Sequence, residues 1–321
     1  MNSDIKAYAC YNINKTDRCF SSSGGIYILL ARKVLENQGK VFAVCYDNHF
    51  EAFHKEITSE EDLLQSVGSK YMPSKLKNTF FEIKKYLSEG KQVMFVGTPC
   101  QCVGLKNYLR NEYDKLICVD IICHGVPSRM VWRKYLQNIN NGKKLEQLNM
   151  RDKSSGWSKY QYSWKLEYRD MVKYIPQEEI GFMKGFTSDY YLRPACYECQ
   201  FKGLERKTDV TLGDYWGVWD IQPKMDDNKG TSLVLVHTSK GKNLFEKIVD
   251  NLVIQEADLE GAIQYNPSII YSSEKNDQRE IFFKKMKSED DIEKIIEEMT
   301  ESRLSNVIKR KTKKIIEKLF G

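Results

Sequence analysis

Val93 to Gly125, VMFVGTPCQCVGLKNYLRNEYDKLICVDIICHG, reads as strand, tight turn, helix and strand, with a cysteine just beyond each strand. Val93–Val96 is a short apolar, β-rich run stopped by Gly97-Thr98-Pro99. The apolar residues of Val103–Leu109 recur at helical spacing, and Leu116–Ile122 is a second apolar run, stopped by Cys123-His124-Gly125. A strand–helix–strand unit of this length makes its strands parallel neighbours with a right-handed crossover. Parallel strands end on one edge of the sheet, so Cys100 and Cys123 come to the carboxyl edge, where open α/β sheets place their ligands. The fold class expected is mixed α/β: a partly parallel sheet with flanking helices, plus a second β-rich part with C-terminal helices.

The chain has 321 residues, enough for one large domain or two ordinary ones. No apolar run approaches the roughly 18–20 residues of a membrane span, and the N-terminus lacks the apolar core of a secretory signal. The expected location is therefore cytoplasmic. Nine cysteines in such a compartment point to metal binding, redox chemistry or burial rather than a disulfide framework. The net charge of +6 is concentrated in Thr300–Gly321, which has seven Lys/Arg and two Glu. The remaining body is close to neutral, which argues against nucleic-acid binding.

Three parts are expected: an α/β part at 1–150, a β-rich part at 151–260 and a helical tail at 261–321. Ala9–Phe20 is a polar segment carrying Cys10 and Cys19. The run Ser21-Ser22-Ser23-Gly24-Gly25 opens a helix at Ile26–Leu35 and offers backbone N–H groups to an anion. It reads equally as a flexible loop with a serine cap, the plainer reading. Val41–Tyr46 is a strand, and its Cys45, like Cys118, is taken as a core residue. His49 and His54 are read as surface residues. Gly68-Ser69-Lys70-Tyr71 is a turn with a lysine beside an aromatic, suited to a phosphate or an electron-rich ring, although surface turns carry lysine routinely. Phe80–Leu87 and Met130–Leu136 are further helices. From Trp157 the period changes: Tyr160, Tyr162, Trp164, Leu166 and Tyr168 alternate with polar residues as in a half-buried strand. Met171–Ile175 is the expected hairpin partner. Asp209–Leu212 and Leu233–His237 are strands, with His237 directed outward. Asn243–Leu252, Asp290–Met299 and Leu304–Leu319 are helices. The last is a solvated terminal helix in preference to a contact with an anionic membrane surface or an acidic partner.

Cys196-x-x-Cys199 is a chelating pair in a turn. No second CxxC closes the site, and the side chains of Cys100 and Cys102, one residue apart at a helix start, diverge. Cys100, Cys123, Cys196 and Cys199 then provide four soft sulfur ligands, which suit an iron–sulfur cluster or a structural zinc. Spacing does not separate the two; the position of two of them on the ligand edge of a large sheet favours a redox role. The alternative is a thiol pair with the other cysteines buried. No Ser–His–Asp set, H-x-x-E-H-type zinc motif, Walker loop or GxGxxG occurs, and no catalytic residue is assigned.

Taken together, these segments resemble the flavin-containing beta subunits of coenzyme F-420 (deazaflavin) hydrogenase and dehydrogenase. The resemblance rests on Ser22–Gly25, Gly68–Tyr71, Gly97-Thr98-Pro99-Cys100-Gln101, Gly104-Leu105, Cys123–Ser128, Arg151-Asp152-Lys153 with Gly156-Trp157, Cys196-x-x-Cys199 and Gly213-Asp214-Tyr215-Trp216-Gly217, in the family's order. It implies an FAD or deazaflavin site, a 4Fe-4S cluster on Cys100, Cys123, Cys196 and Cys199, and electron transfer between a ferredoxin-like donor and a small-molecule acceptor. Ser22, Ser23, Gly24, Gly25, Ser69, Lys70, Gly97 and Thr98 are the expected flavin contacts. The chain looks like the bacterial members associated with polysaccharide biosynthesis, whose enzymes are then candidate partners. Many relatives begin with a ferredoxin-like module, and this sequence starts where that module would end. Cys102 stands where relatives more often carry an apolar residue, so it is a spare thiol or an alternative ligand. The non-enzymatic alternatives are a scaffold for polysaccharide-biosynthesis enzymes and a structural zinc protein.

Overall fold

Eleven strands and twelve named helices are described by the computed structural model, which covers residues 5–301. The strands are β1 (Lys6–Asn12), β2 (Lys40–Tyr46), β3 (Ala52–Ile57), β4 (Val93–Gly97), β5 (Leu116–Ile121), β6 (Leu145–Asp152), β7 (Ser163–Tyr168), β8 (Val172–Pro176), β9 (Val210–Asp214), β10 (Ser232–Val236) and β11 (Leu252–Glu256). Eight form one sheet in the order β11-β1-β10-β9-β5-β4-β2-β3, and β6, β7 and β8 form a second. The centre of the large sheet is parallel, β2 with β4, β4 with β5 and β5 with β9; its remaining pairs are antiparallel. The fold is mixed α/β, as expected.

The parallel centre follows from residue chemistry. Along β4 and β5, alternate side chains enter opposite cores, as the two-residue period of a strand requires. Met94, Ile117 and Val119 pack on one side under α2 (Ile26–Glu36) and, further along, α10 (Ser239–Glu246). Val93, Phe95, Leu116 and Cys118 pack on the other under α4 (Thr79–Ser88) and α5 (Pro99–Leu109). Strands covered on both faces must be apolar throughout, which is why these were legible as runs. The three-stranded sheet has its own core with α6 (Arg129–Asn140), α7 (Gly181–Thr187) and α12 (Arg279–Ser288), where Trp132, Tyr135, Trp164 and Phe182 pack ring against ring.

Several elements differ from the expectation. Lys6–Asn12 is a strand that takes in the start of the segment Ala9–Phe20, expected to be polar, and Ala52–Ile57 is a strand that holds His54. The helix expected at Asn243–Leu252 stops at Glu246, and Leu252 begins β11. His54 is not a surface residue: it is 2% exposed, bonds Val96 O at 3.0 Å through Nε2 and stacks on Phe95. His237 turns inward, with Nε2 2.8 Å from Thr211 Oγ1. β7 and β8 form the expected hairpin, but β7 begins at Ser163, after a helical turn at Ser158–Tyr160, so Tyr160 and Tyr162 lie outside the strand; residues 292–301 are helical. The expected helix at Leu304–Leu319 lies outside the described residues. Strands β9, β10 and β11 join the same sheet as β1 to β5, so that sheet draws on both sides of residue 150.

Candidate functional site

The carboxyl ends of β4, β5 and β9 open into a cavity of about 700 Å³, within the size range of small-molecule and cofactor sites. Every residue of the expected flavin set except Gly24 lines it. Gly24 lies behind the wall: its N–H donates to Ser232 Oγ at 3.0 Å, and a Cβ there would come within 2.5 Å of Cys10 O. Gly25 takes a left-handed backbone (φ 81°) to start α2, and no side chain caps that helix. Its first turn, Ile26 and Tyr27, faces the cavity, which suits a phosphate. Across from it, Ser69 donates to Ser22 Oγ through its N–H (2.6 Å) and its hydroxyl (2.9 Å). Lys70 is committed to its own turn. Its ammonium donates to Ser66 O, Val67 O and Gly68 O, each at 3.1 Å, and burial lowers its pKa to about 8.

The second sheet reaches into this wall. Arg151 of β6 is 1% exposed and forks onto Asp214, with Nη1–Oδ2 at 2.8 Å and Nη2–Oδ1 at 3.2 Å. It also donates to Tyr71 Oη (3.0 Å) and Ser22 O (3.3 Å), and lies over the rings of Tyr162 and Trp216. Its Nε is buried without a partner. Trp157 donates to Ser22 O as well, and Lys153 to Ser23 O at 2.7 Å. Burial, with Arg18 and Arg151 nearby, lowers the Lys153 pKa to about 7. The segments Ser22–Gly25, Gly68–Tyr71, Arg151–Lys153 and Gly213–Gly217 are therefore one network. Arg151 and Asp214 lie inside recognised segments yet were given no role; their side chains meet only through the tertiary fold.

Cys123 follows β5 and forms part of the cavity wall. Cys100 lies exposed in the first turn of α5, which Pro99 and the mutual bonding of Thr98 and Gln101 start at that point. Its sulfur is 3.1 Å from Thr98 Oγ1. A bridge between Pro127 and Leu192, with Arg193 N–H donating to Val126 O at 2.8 Å, draws the CxxC segment beside Cys123. Val126 N–H then donates to Cys196 Sγ at 3.3 Å. Cys199 is held through Ser272, whose hydroxyl accepts from its N–H at 3.1 Å. Burial pushes the Cys123 thiol up to about 12; Lys202 opposes this, and Cys100, Cys196 and Cys199 reinforce it. The Val126 bond thus seats Cys196 against the segment that Cys123 begins. Among the described residues, no three His, Cys, Asp or Glu side chains already close on a single point. Four thiols, one of them accepting a backbone N–H, nonetheless form a donor set that fits soft metal chemistry. Cys102 is buried in the core, 3.8 Å from Val119 O, and diverges from Cys100 as expected; Cys45 and Cys118 are buried too.

Two polar groups escaped the sequence reading. His124 lines the cavity with Nε2 donating to Asp189 Oδ1 at 2.8 Å. Asp120, fully buried, pairs with Arg206 at 3.0 Å, and Arg206 in turn donates to Gly203 O and Ile269 O. The signal was a charge inside the apolar run Leu116–Ile122, which demands a buried partner.

A family model for the C terminus of the coenzyme F420 hydrogenase/dehydrogenase beta subunit matches residues 90–261, more than half of the chain. Among solved structures, the chain is similar to one in the F420-reducing NiFe hydrogenase complex from Methanosarcina barkeri, determined in a xenon-derivatization study. The TM-score is 0.54 at 17% identity, over 82% of this chain and 90% of that one, a likeness of fold. No curated protein matches the sequence.

Proposed function

The chain belongs to the coenzyme F420 hydrogenase/dehydrogenase beta subunit family, and from that membership we propose an iron–sulfur flavoprotein oxidoreductase. In this reading it passes electrons between a ferredoxin-like donor or deazaflavin-type carrier and a small acceptor. The observation that carries the reading is the position of Cys123, in the cavity wall and at the head of the segment whose Val126 N–H bonds Cys196 Sγ. Cys100, Cys123, Cys196 and Cys199 would hold a 4Fe-4S cluster. The uncapped start of α2, with Ser22, Ser69 and the Gly97–Thr98 turn, would hold the FAD, and Arg151 fixes the wall around it through Asp214, Tyr71 and Ser22.

A flavin so held supplies hydride exchange with an organic carrier and one-electron exchange with a metal centre. The residues themselves bind, orient and shield. Arg151 keeps Asp214 and Ser22 in register, and His124, beside Cys123 in the cavity wall, stays fixed against Asp189. The resemblance to polysaccharide-associated members directs the search for the acceptor to nucleotide sugars and glycan precursors, and for partners to the enzymes that use them.

The test is anaerobic purification of the whole chain with iron, sulfide, zinc and flavin counted on one sample. The expected result is about four irons and about one flavin per chain. Zinc without flavin would make the four cysteines a structural site. A folded sample with neither metal nor flavin would make the protein a scaffold.

A further inference from the structure

Lys202 stands three residues beyond Cys199 and is partly buried. Its ammonium donates to three carbonyls: Cys123 O, Ser268 O at 3.0 Å and His124 O at 3.5 Å. Among the described residues, no carboxylate forms an ion pair with it; the neighbouring Arg206 is taken by Asp120. A desolvated cation without a counter-charge is costly, and a protein keeps one only where another group neutralises it. The groups here that can carry negative charge are sulfurs. Lys202 is bonded to the carbonyl of Cys123 itself and follows Cys199 by three residues, so its ammonium is anchored to two of the cysteine segments. The same ammonium joins the segment after β5, the CxxC segment and the loop at Ser268.

We propose that Lys202 sets the reduction potential of a metal–thiolate centre on Cys100, Cys123, Cys196 and Cys199 by serving as its built-in counter-charge. This rests on the reading that those four cysteines hold an iron–sulfur cluster. Potentials of such clusters respond to local net charge, to hydrogen bonds to sulfur and to exposure. Reduction adds one negative charge to the centre, and a nearby cation stabilises the reduced form more than the oxidised one. Lys202 touches carbonyls rather than sulfur, so it acts as a positioning and tuning residue, not as a ligand. The hydrogen bond donated to sulfur comes from the Val126 N–H, to Cys196.

The experiment compares the whole chain with Lys202→Gln and Lys202→Arg, each purified anaerobically, with iron counted first and the cluster then titrated with dithionite against mediator dyes. Gln keeps a donor for the carbonyls and loses the charge; Arg keeps the charge. The expected result is a reduced-to-oxidised ratio at fixed potential at least tenfold lower in Lys202→Gln, equivalent to about 59 mV for one electron. Lys202→Arg should stay within about threefold of the parent, a shift of less than about 28 mV on the same scale. An unchanged ratio in an iron-loaded Lys202→Gln would overturn the proposal, as would an equal drop in Lys202→Arg. Loss of iron from Lys202→Gln would make Lys202 a structural clamp and also overturn it. Absence of iron from the parent chain would instead remove the four-cysteine reading itself.

Discussion

Arg151 shows how much one side chain can hold. It is a buried cation with a two-point contact to Asp214, and it reaches two further walls of the cavity. Removing one partner of such a pair costs about 3–5 kcal/mol, because the other charge is left without its match. Arg151→Met should therefore lower the urea midpoint sharply and reduce flavin content. Arg151→Lys should recover only part of either, because an ammonium cannot fork. A midpoint equal to that of the parent would show that the network carries no stability. The cysteines make a different prediction. Cys196→Ser/Cys199→Ser should lose most of its iron, while Cys45→Ser should keep it, since Cys45 is buried away from the four sulfurs. Full iron in the double variant would remove the pair from the centre. Two histidines set a pH dependence. His54 donates from Nε2 to Val96 O, and His237 points Nε2 at Thr211; both Nδ1 atoms are buried without partners. Protonation would add a buried donor with nothing to accept it, and burial lowers each pKa to about 4. The unfolded chain, near 6.5, binds the protons first, so stability is full above about pH 6.5 and falls as pH drops towards 4. Melting temperatures across that range should decline, and less steeply in His54→Phe.

At the scale of elements, two helical glycines test packing against propensity. Ala is the better helix former by about 1 kcal/mol. In α5, a Cβ at Gly104 meets only Phe80, at 3.9 Å, so Gly104→Ala should raise the melting temperature. In α10, a Cβ at Gly241 would come within 2.2 Å of Asp209 O, a backbone atom that cannot swing away. Gly241→Ala should lower the melting temperature despite the propensity gain. The same competition explains what could be read in advance. β4, β5 and β10 are covered on both faces, so their apolar runs announced them. β3 and β11 sit at the sheet edges, and AFHKEI and LVIQE carry charges on their open sides. The core residues of β1 are Ala7, Ala9 and Cys10, small side chains that become core only once β10 and β11 flank the strand. The site was legible to the same degree: the cysteines and glycine turns have spacing, whereas Lys202 in CQFK reads as an ordinary surface lysine until the fold wraps three carbonyls around it.

At the scale of the molecule, the two sheets are bound together at the cavity. Arg151, Lys153 and Trp157 leave the smaller sheet to hold Ser22 and Ser23, which belong to the larger. A fragment ending at residue 150 would strip β1 of both its neighbours and β5 of β9. It should show no cooperative melt by circular dichroism, whereas the whole chain should; a cooperative melt of the fragment would make residues 1–150 an independent unit. The order of the large sheet also has a consequence for how the protein is made. β1 is synthesised well before its two partners, β10 and β11, with about 220 residues between Asn12 and Ser232. At roughly 5–20 residues per second, β1 waits between about ten and fifty seconds for a neighbour. Through that interval the nascent chain carries a strand with both edges open, so its solubility depends on whatever shelters β1 until β10 and β11 have been made.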